Sequence, residues 1–251
     1  MRPQVLIVSG LSCAGKTPLV DAIDKLAPDL VDDFSSPVLF HSRAPRPNEV
    51  DGRHYHFRSR EEIEKLRDEP GFTVFDVRSD LQAVDEKELE NSRGLLYEGH
   101  TGIALHLKRW AAEKGMETVD VFLSPLTAQE IIDSMAKAGA RSFVRQLTDM
   151  SRARLLRRYR KQKEALSLGE LEDVEVRAGS AFEELARGHE FSHVVPNHDG
   201  EDSDHWTLFD HPVGDARRAT EAVISLLRGE TTSWSERWEP SRPSFIGGAQ
   251  E

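Results

Sequence analysis

The clearest chemistry lies in eight residues near the start of the chain. Gly10-Leu-Ser-Cys-Ala-Gly15-Lys16-Thr17 has the spacing G-x-x-x-x-G-K-[ST]. It follows an apolar run, Gln4–Ser9, and precedes a helical pattern from Lys16 to Leu26, the context in which this spacing binds phosphate. The glycines let backbone N–H groups turn inward around a polyphosphate, and the helix start adds favourable partial charge. Gly10, Ser12, Cys13, Ala14 and Gly15 would form the cradle for a nucleoside triphosphate. Lys16 would reach its β- and γ-phosphates, and the Thr17 hydroxyl would ligate Mg²⁺. Pro18 falls in the first helical turn, where its missing donor costs little. Cys13 reads as a small filler of the loop.

A second cluster suits an anion too. In Ser42–Phe57, Arg43 and Arg46 are spaced to fork onto one phosphate, Tyr55 adds a hydroxyl donor, and Pro45 and Pro47 stiffen the loop. A third lies in Ser151–Glu164, where seven basic residues crowd together. On a helix Arg154 and Arg158 share a face at i, i+4 and could reach a triphosphate when a lid closes. A solvated basic face is the alternative.

These groups need elements to hold them. Strand patterns fall at Gln4–Ser9, Val38–Phe40, Phe72–Val77, Leu95–Tyr97, Thr118–Leu123 and His193–Val195. Helical patterns fall at Lys16–Leu26, Arg60–Arg67, Thr101–Lys114, 141–163, 174–187 and 216–227, and Thr127 with Glu130 has the capping-box spacing that opens another. Strands alternating with helices predict an α/β fold with a mainly parallel central sheet.

The segment Ser42–Leu66 resembles the nucleoside-monophosphate-binding segment of guanylate kinases, T-R-x-P-R-P-G-E-x-D-G-x-x-Y-x-F followed by a Ser-initiated acidic helix. Arg43, Pro45, Arg46, Pro47, Glu49, Asp51, Gly52, Tyr55, Phe57, Ser59, Glu61 and Glu62 stand in register. Arg154-Leu-Leu-Arg157-Arg158 is similar to that family's lid helix, Arg177 to Leu185 to its lid-exit helix, and Phe191 to Asp199 to its F-D-x-V-V-x-N-D strand end. The resemblance covers about residues 4–200 and the last helix. It implies a P-loop NTPase three-layer fold over residues 1–228, with a monophosphate-binding insertion at about 37–92 and an enlarged helical lid at about 127–185. It also implies roles. Lys16 and Thr17 would serve ATP and Mg²⁺. Arg43, Arg46 and Tyr55 would hold an acceptor monophosphate. Arg177 would be a lid arginine that bridges donor and acceptor phosphates, and Asn197 would contact adenine.

Departures from that family bear on the acceptor. Val74 stands where the guanine-binding glutamate is expected, Ala83-Val84-Asp85 replaces a Tyr-Gly-Ser/Thr triplet, and Leu39 replaces a serine four residues before Arg43. Asp76 or Asp85 could substitute for the lost carboxylate. Glu98 lies one residue from the family's aspartate, suited to a magnesium-bound water or an acceptor sugar. The phosphate grip is kept and the base grip is altered. The expectation is ATP-dependent phosphorylation of a nucleoside or deoxynucleoside monophosphate. The alternatives are a phosphorylated sugar as acceptor (ribosyl-bisphosphate type) and a non-catalytic binding module.

Composition narrows the classes further. The 251 residues are 38% hydrophobic and 31% charged, a globular mix. One cysteine excludes an internal disulfide framework. The net charge of −11 disfavours nucleic acid as a partner. No apolar run suits a membrane span and MRPQVLIVSG is too short for a signal peptide, so a cytoplasmic location is expected. The ten histidines lack metal spacing. The acidic insertion Asn197–Asp215, with Trp206 and Phe209, is expected to form a flap near the nucleotide base or an oligomer contact, with a homodimer left open. Residues 229–251, with Trp234, Trp238 and Phe245, read as a tail, mobile or draped on the surface.

Overall fold

The structure, a computed structural model, describes residues 3–46 and 49–239. Its centre is a four-stranded parallel sheet in the order β6–β1–β7–β8. Strand β1 (Val5–Gly10) is buried along its whole length between β6 (Leu95–Gly99) and β7 (Thr118–Ser124), which explains its unbroken apolar run. Strand β8 (His193–Pro196) pairs with β7. Helix α1 (Lys16–Leu26) packs on β1 and β6 and against α9 (Gly214–Leu227), and α4 (Thr101–Glu113) packs on β1, β6 and β7. This is the three-layer P-loop architecture, with the phosphate loop leaving the C-terminal end of β1.

A second, mixed sheet runs β3–β2–β5–β4. It is built from β2 (Phe40–His41), β3 (His56–Phe57), β4 (Phe72–Val77) and β5 (Asp80–Asp85). Helix α2 (Arg60–Lys65) covers one face, and a small separate core of Ile63, Leu81 and Ala83, with Phe40, Leu66 and Val74 against it, holds the two together. Ser59 and Glu62 start α2 with a full capping box. Short α3 (Glu86–Glu90) follows β5, capped by the Asp85 carboxylate. The sequence pattern misses β3, β5 and α3. Strand β5 is masked because the connection from β4 is only Arg78-Ser79, which carries no glycine to mark it.

Helices α5 (Ala128–Ala138), α6 (Ala140–Gln162), α7 (Leu168–Gly179) and α8 (Ala181–Ala186) form the helical region beside the cleft. Thr127 and Glu130 cap α5 reciprocally, as their spacing predicts. The single helix expected over 174–187 is two helices. A capping box at Ser167 and Glu170 starts α7 earlier, and the chain breaks at Ser180, whose hydroxyl turns to the Arg177 carbonyl and the Glu184 carboxylate.

Over residues 229–239 the tail takes the second of its two expected states, fastened against the fold. Glu236 forms an antiparallel bridge with Val194, extending the edge at β8, and its carboxylate accepts from the Ala128 N–H at the start of α5. Trp238 is buried against Phe122, and the Trp234 indole donates to the Pro196 carbonyl. Two tryptophans supply enough apolar area to hold a short segment down. Phe245 lies outside the described residues.

Candidate active site

The phosphate loop is tied down by close backbone approaches. A Cβ on Gly10 would sit 2.3 Å from the Leu123 carbonyl oxygen, and one on Gly15 would sit 2.8 Å from the Trp206 ring. Both glycines have positive φ, which other residues rarely adopt. Cys13, buried, also takes a left-handed φ of 60°. Lys16 Nζ donates to the carbonyls of Gly10 (3.0 Å) and Leu11 (2.8 Å), so the ammonium is folded over the loop it serves. Burial lowers its pKa, opposed mainly by Glu98. Because β1 and β6 are parallel neighbours, their ends bring Thr17 beside Glu98, and the Thr17 hydroxyl donates to that carboxylate at 3.0 Å. Burial raises the Glu98 pKa against the pull of Lys16. A hydroxyl and a carboxylate beside a phosphate cradle are hard oxygen donors that fit Mg²⁺, which binds through few protein ligands plus phosphate and water.

Across the cleft, Arg43 forks onto Glu49 at 2.6 and 2.7 Å. Its guanidinium also lies over the Tyr55 and Phe57 rings, 5.3 and 5.4 Å from their centroids. The same Glu49 carboxylate accepts from the Arg46 backbone N–H at 2.7 Å. Burial alone would raise the Glu49 pKa, but these donors bring it down to about 2. Glu49 therefore organises both arginines. Pro47 lies outside the described residues.

Gly10, Ser12, Cys13, Lys16, Thr17, Arg43, Arg46, Tyr55, Glu98, Arg158 and Arg177 all line one cavity of about 320 Å³. Arg177 Nε donates to Ser12 Oγ at 3.2 Å. Arg158 meets Glu201 at 3.1 Å and approaches the Cys13 sulfur, and its Nε is buried without a partner among the described residues.

Three assigned residues are placed elsewhere. Asp76 points away from the cavity and pairs with Arg67 at 2.8 Å. Successive residues of a strand face opposite ways, and Asp76 shares its parity with Val74, which packs on the small core under α2. Val74 and its partner Ala83 are therefore not the wall an acceptor meets, and Asp85 is spent on the α3 cap. Arg154 is buried and donates to the His198 carbonyl at 2.7 Å, beneath the insertion rather than in the cleft. Asn197 is fully buried, and its amide donates to the Ala14 carbonyl at 2.8 Å, bracing the phosphate loop from behind.

The insertion after β8 lies against this loop. Glu201 N–H donates to the Cys13 carbonyl, Trp206 is buried beside Gly15, and Phe209 is exposed. One face of α6 clamps it, through Arg154 to His198, Arg157 to Asp202, Arg158 to Glu201 and Lys161 to Asp204. Of this basic run, Arg154 is thus buried under the insertion, while Arg158 also faces the cavity.

Several cleft residues are not singled out by the sequence: His41, Arg78, Gln82 and Glu201, with Tyr97 and His100 flanking Glu98; Glu184 is marked only as part of the lid-exit pattern. Burial, with Arg43 and Arg46 nearby, drives the His41 pKa down to about 3, so the ring is neutral. Its Nδ1 accepts from the Arg43 N–H at 3.2 Å, which puts the proton on Nε2. The Gln82 amide lies 3.2 Å from Nε2, where its oxygen is the matching group. Alternation alone could have marked Gln82 as facing opposite to Leu81 and Ala83, had β5 been visible.

A parallel sheet ending in this phosphate loop, faced by paired arginines on a separate small sheet, defines a P-loop phosphotransferase. The family model for guanylate kinase matches residues 2–72. A guanylate kinase from Rubrobacter xylanophilus is 31% identical over 231 residues, 90% of this chain and 94% of that protein. One from Shewanella denitrificans is 32% identical over 131 residues, a match spanning 62% of its length. The solved guanylate kinase of Anaplasma phagocytophilum shares the fold, with a TM-score of 0.51 at 14% identity over 98% of this chain and 96% of that one. The chain belongs to the guanylate kinase family. No helix among the described residues is long and apolar enough to cross a membrane.

Proposed function

We propose that the chain transfers the γ-phosphoryl group of ATP to the phosphate of a nucleoside or deoxynucleoside monophosphate. One observation carries this reading: Lys16 on the phosphate loop and the Arg43–Arg46 pair line the same small cavity, roofed by Arg158 and Arg177. Catalysis here is positioning two phosphates in line and neutralising the charge between them, which needs cations on both sides and little covalent chemistry. Lys16 neutralises the donor phosphates, and Arg43, Arg46 and Tyr55 hold the acceptor phosphate. Mg²⁺, held by Thr17 with Glu98 beside it, would offset charge on the donor phosphates. The retained lysine and arginines argue against a non-catalytic module.

The wall beside the acceptor phosphate supports a base other than guanine. It presents neutral His41 and Gln82, while the cavity's carboxylates are engaged: Glu98 by Thr17, Glu184 by Arg78 and Glu201 by Arg158. A neutral, hydrogen-bonding wall also favours a second reading, a phosphorylated sugar whose hydroxyls meet His41 and Gln82. A screen of all nucleoside monophosphates, including GMP, and of sugar phosphates, read by ADP release, tests both. Turnover of a non-guanine monophosphate supports the first and a sugar phosphate the second. Turnover confined to GMP overturns the account of the wall, and none with any acceptor argues for the binding module.

A further inference from the structure

The hairpin joining β4 to β5 turns through Arg78 and Ser79, with Val77 paired to Asp80. Arg78 has a φ of 58°, and it occupies the first position of a two-residue turn, where a left-handed conformation favours glycine. A long charged residue kept there at a conformational cost points to work done by the side chain. The side chain leaves the small sheet and crosses the cleft. Its Nη2 donates to Ser12 Oγ on the phosphate loop at 3.0 Å and to Glu184 on α8 at 2.9 Å. Glu184 is buried and is itself held by the Ser180 hydroxyl at 3.0 Å. Both Arg78 contacts use one nitrogen, leaving Nε and Nη1 without a partner among the described residues. Ser12 Oγ also receives Arg177, so guanidinium groups from two separate parts of the fold converge on one hydroxyl inside the phosphate loop.

We propose that Arg78 is a further catalytic arginine, carried by the acceptor-side sheet, that contacts the phosphoryl group in flight. The proposal rests on the reading of the chain as an ATP-dependent phosphotransferase. In the step, an oxygen of the acceptor phosphate forms a bond to the γ-phosphorus. The bond from that phosphorus to the β,γ-bridging oxygen breaks, and its electron pair leaves with ADP. The dianionic acceptor needs to lose no proton. Charge is spread over the equatorial oxygens, and an unused N–H of the Arg78 guanidinium, on Nη1 or Nε, can donate to one of them. Glu184 is the positioning residue that aims Arg78 at Ser12. Because Arg78 sits on the same small sheet as β2, which leads into the Arg43 loop, it ties the acceptor grip to the phosphate loop directly.

The test compares binding of ADP with that of the β,γ-imido analogue of ATP, in Mg²⁺, by titration calorimetry. The variants are Arg78→Gly, which suits the turn, Arg78→Lys, and Arg78→Gly with Glu184→Gln, which leaves no buried carboxylate unpaired. Circular dichroism confirms folding. The glycine variants should lose about tenfold or more in affinity for the imido analogue, with ADP affinity within about twofold of wild type and partial recovery in Arg78→Lys. Unchanged affinities, or equal losses for both nucleotides, overturn the role of Arg78 and leave the phosphotransferase reading intact. Wild-type protein that binds neither nucleotide overturns that reading, and the role of Arg78 with it.

Discussion

The two sides of the cleft are built from different materials. On the donor side the phosphate loop hangs from a fully buried strand, its lysine is held by two backbone carbonyls, and Asn197 and Trp206 pack behind it. On the acceptor side two of the four strands are only two residues long, and the sheet has its own small core. There the arginines are set by side chains, Glu49 for Arg43 and aromatic rings beneath it. A grip made of backbone changes little when residues are exchanged. A grip made of side chains on short strands can be rewritten one residue at a time. That contrast places the scope for change on the acceptor side of the cleft.

The contrast can be broken by substitution. Lys16→Ala should lower kcat about 10²- to 10³-fold or more with the fold retained, because no other lysine among the described residues lines the cavity. Near wild-type turnover would end the kinase reading. Arg43→Ala should act on the other side, raising the acceptor KM roughly ten- to a hundredfold, as expected for losing charge-assisted hydrogen bonds of ~1.5–3 kcal/mol. If steady-state kinetics show the loss in ATP KM instead, the two sides have been assigned the wrong substrates.

The wall itself separates two carboxylates by position. Gln82→Glu should raise kcat/KM for GMP by about tenfold, since it aims an acceptor into the cavity at guanine's donors. Val74→Glu should give no such gain and should destabilise the protein by roughly 1–3 kcal/mol, because it pushes a carboxylate toward Ile63, Leu81 and Ala83. Paired kinetics and urea unfolding check both, and a GMP gain in Val74→Glu would mean that β4 presents its other face.

The smallest effect is a gradual one with pH. Burial holds His41 down to about pKa 3 and His100 to about 4, from an ordinary 6.5. Both are neutral in the folded protein while the unfolded chain takes up their protons. Their contribution is complete above pH 6.5 and is lost as pH falls, at up to about 1.4 kcal/mol per pH unit for each histidine. Glu49 adds to the loss below pH 4.5. For His198, burial alone would lower the pKa, but Glu130 and Asp215 raise it, so its contribution is full below pH 6.5 and lost as pH rises. Urea midpoints at pH 7, 6 and 5 should therefore fall, and a flat series would mean that His41 and His100 are not held neutral.

What the sequence determined by itself was whatever a contiguous stretch specifies. The phosphate loop, the capping boxes at Thr127 and Ser59, and the Arg43–Arg46 loop each need only local spacing, because a turn or a helix start is made from neighbours within a few residues. The parallel sheet was legible in its apolar runs for the same reason. Tertiary structure alone decided which side chains meet. Arg154 and Arg158 are one helical turn apart, yet one is buried under the insertion and the other reaches the cavity. Val74 and Gln82 look interchangeable until the register of β4 with β5 turns one toward the α2 core and the other into the cleft. Arg78 meets Ser12 across 66 residues of chain and Glu184 across 106. Such contacts depend on the length of a hairpin and the parity of a strand, and shifting either by one residue would point every side chain on it the other way.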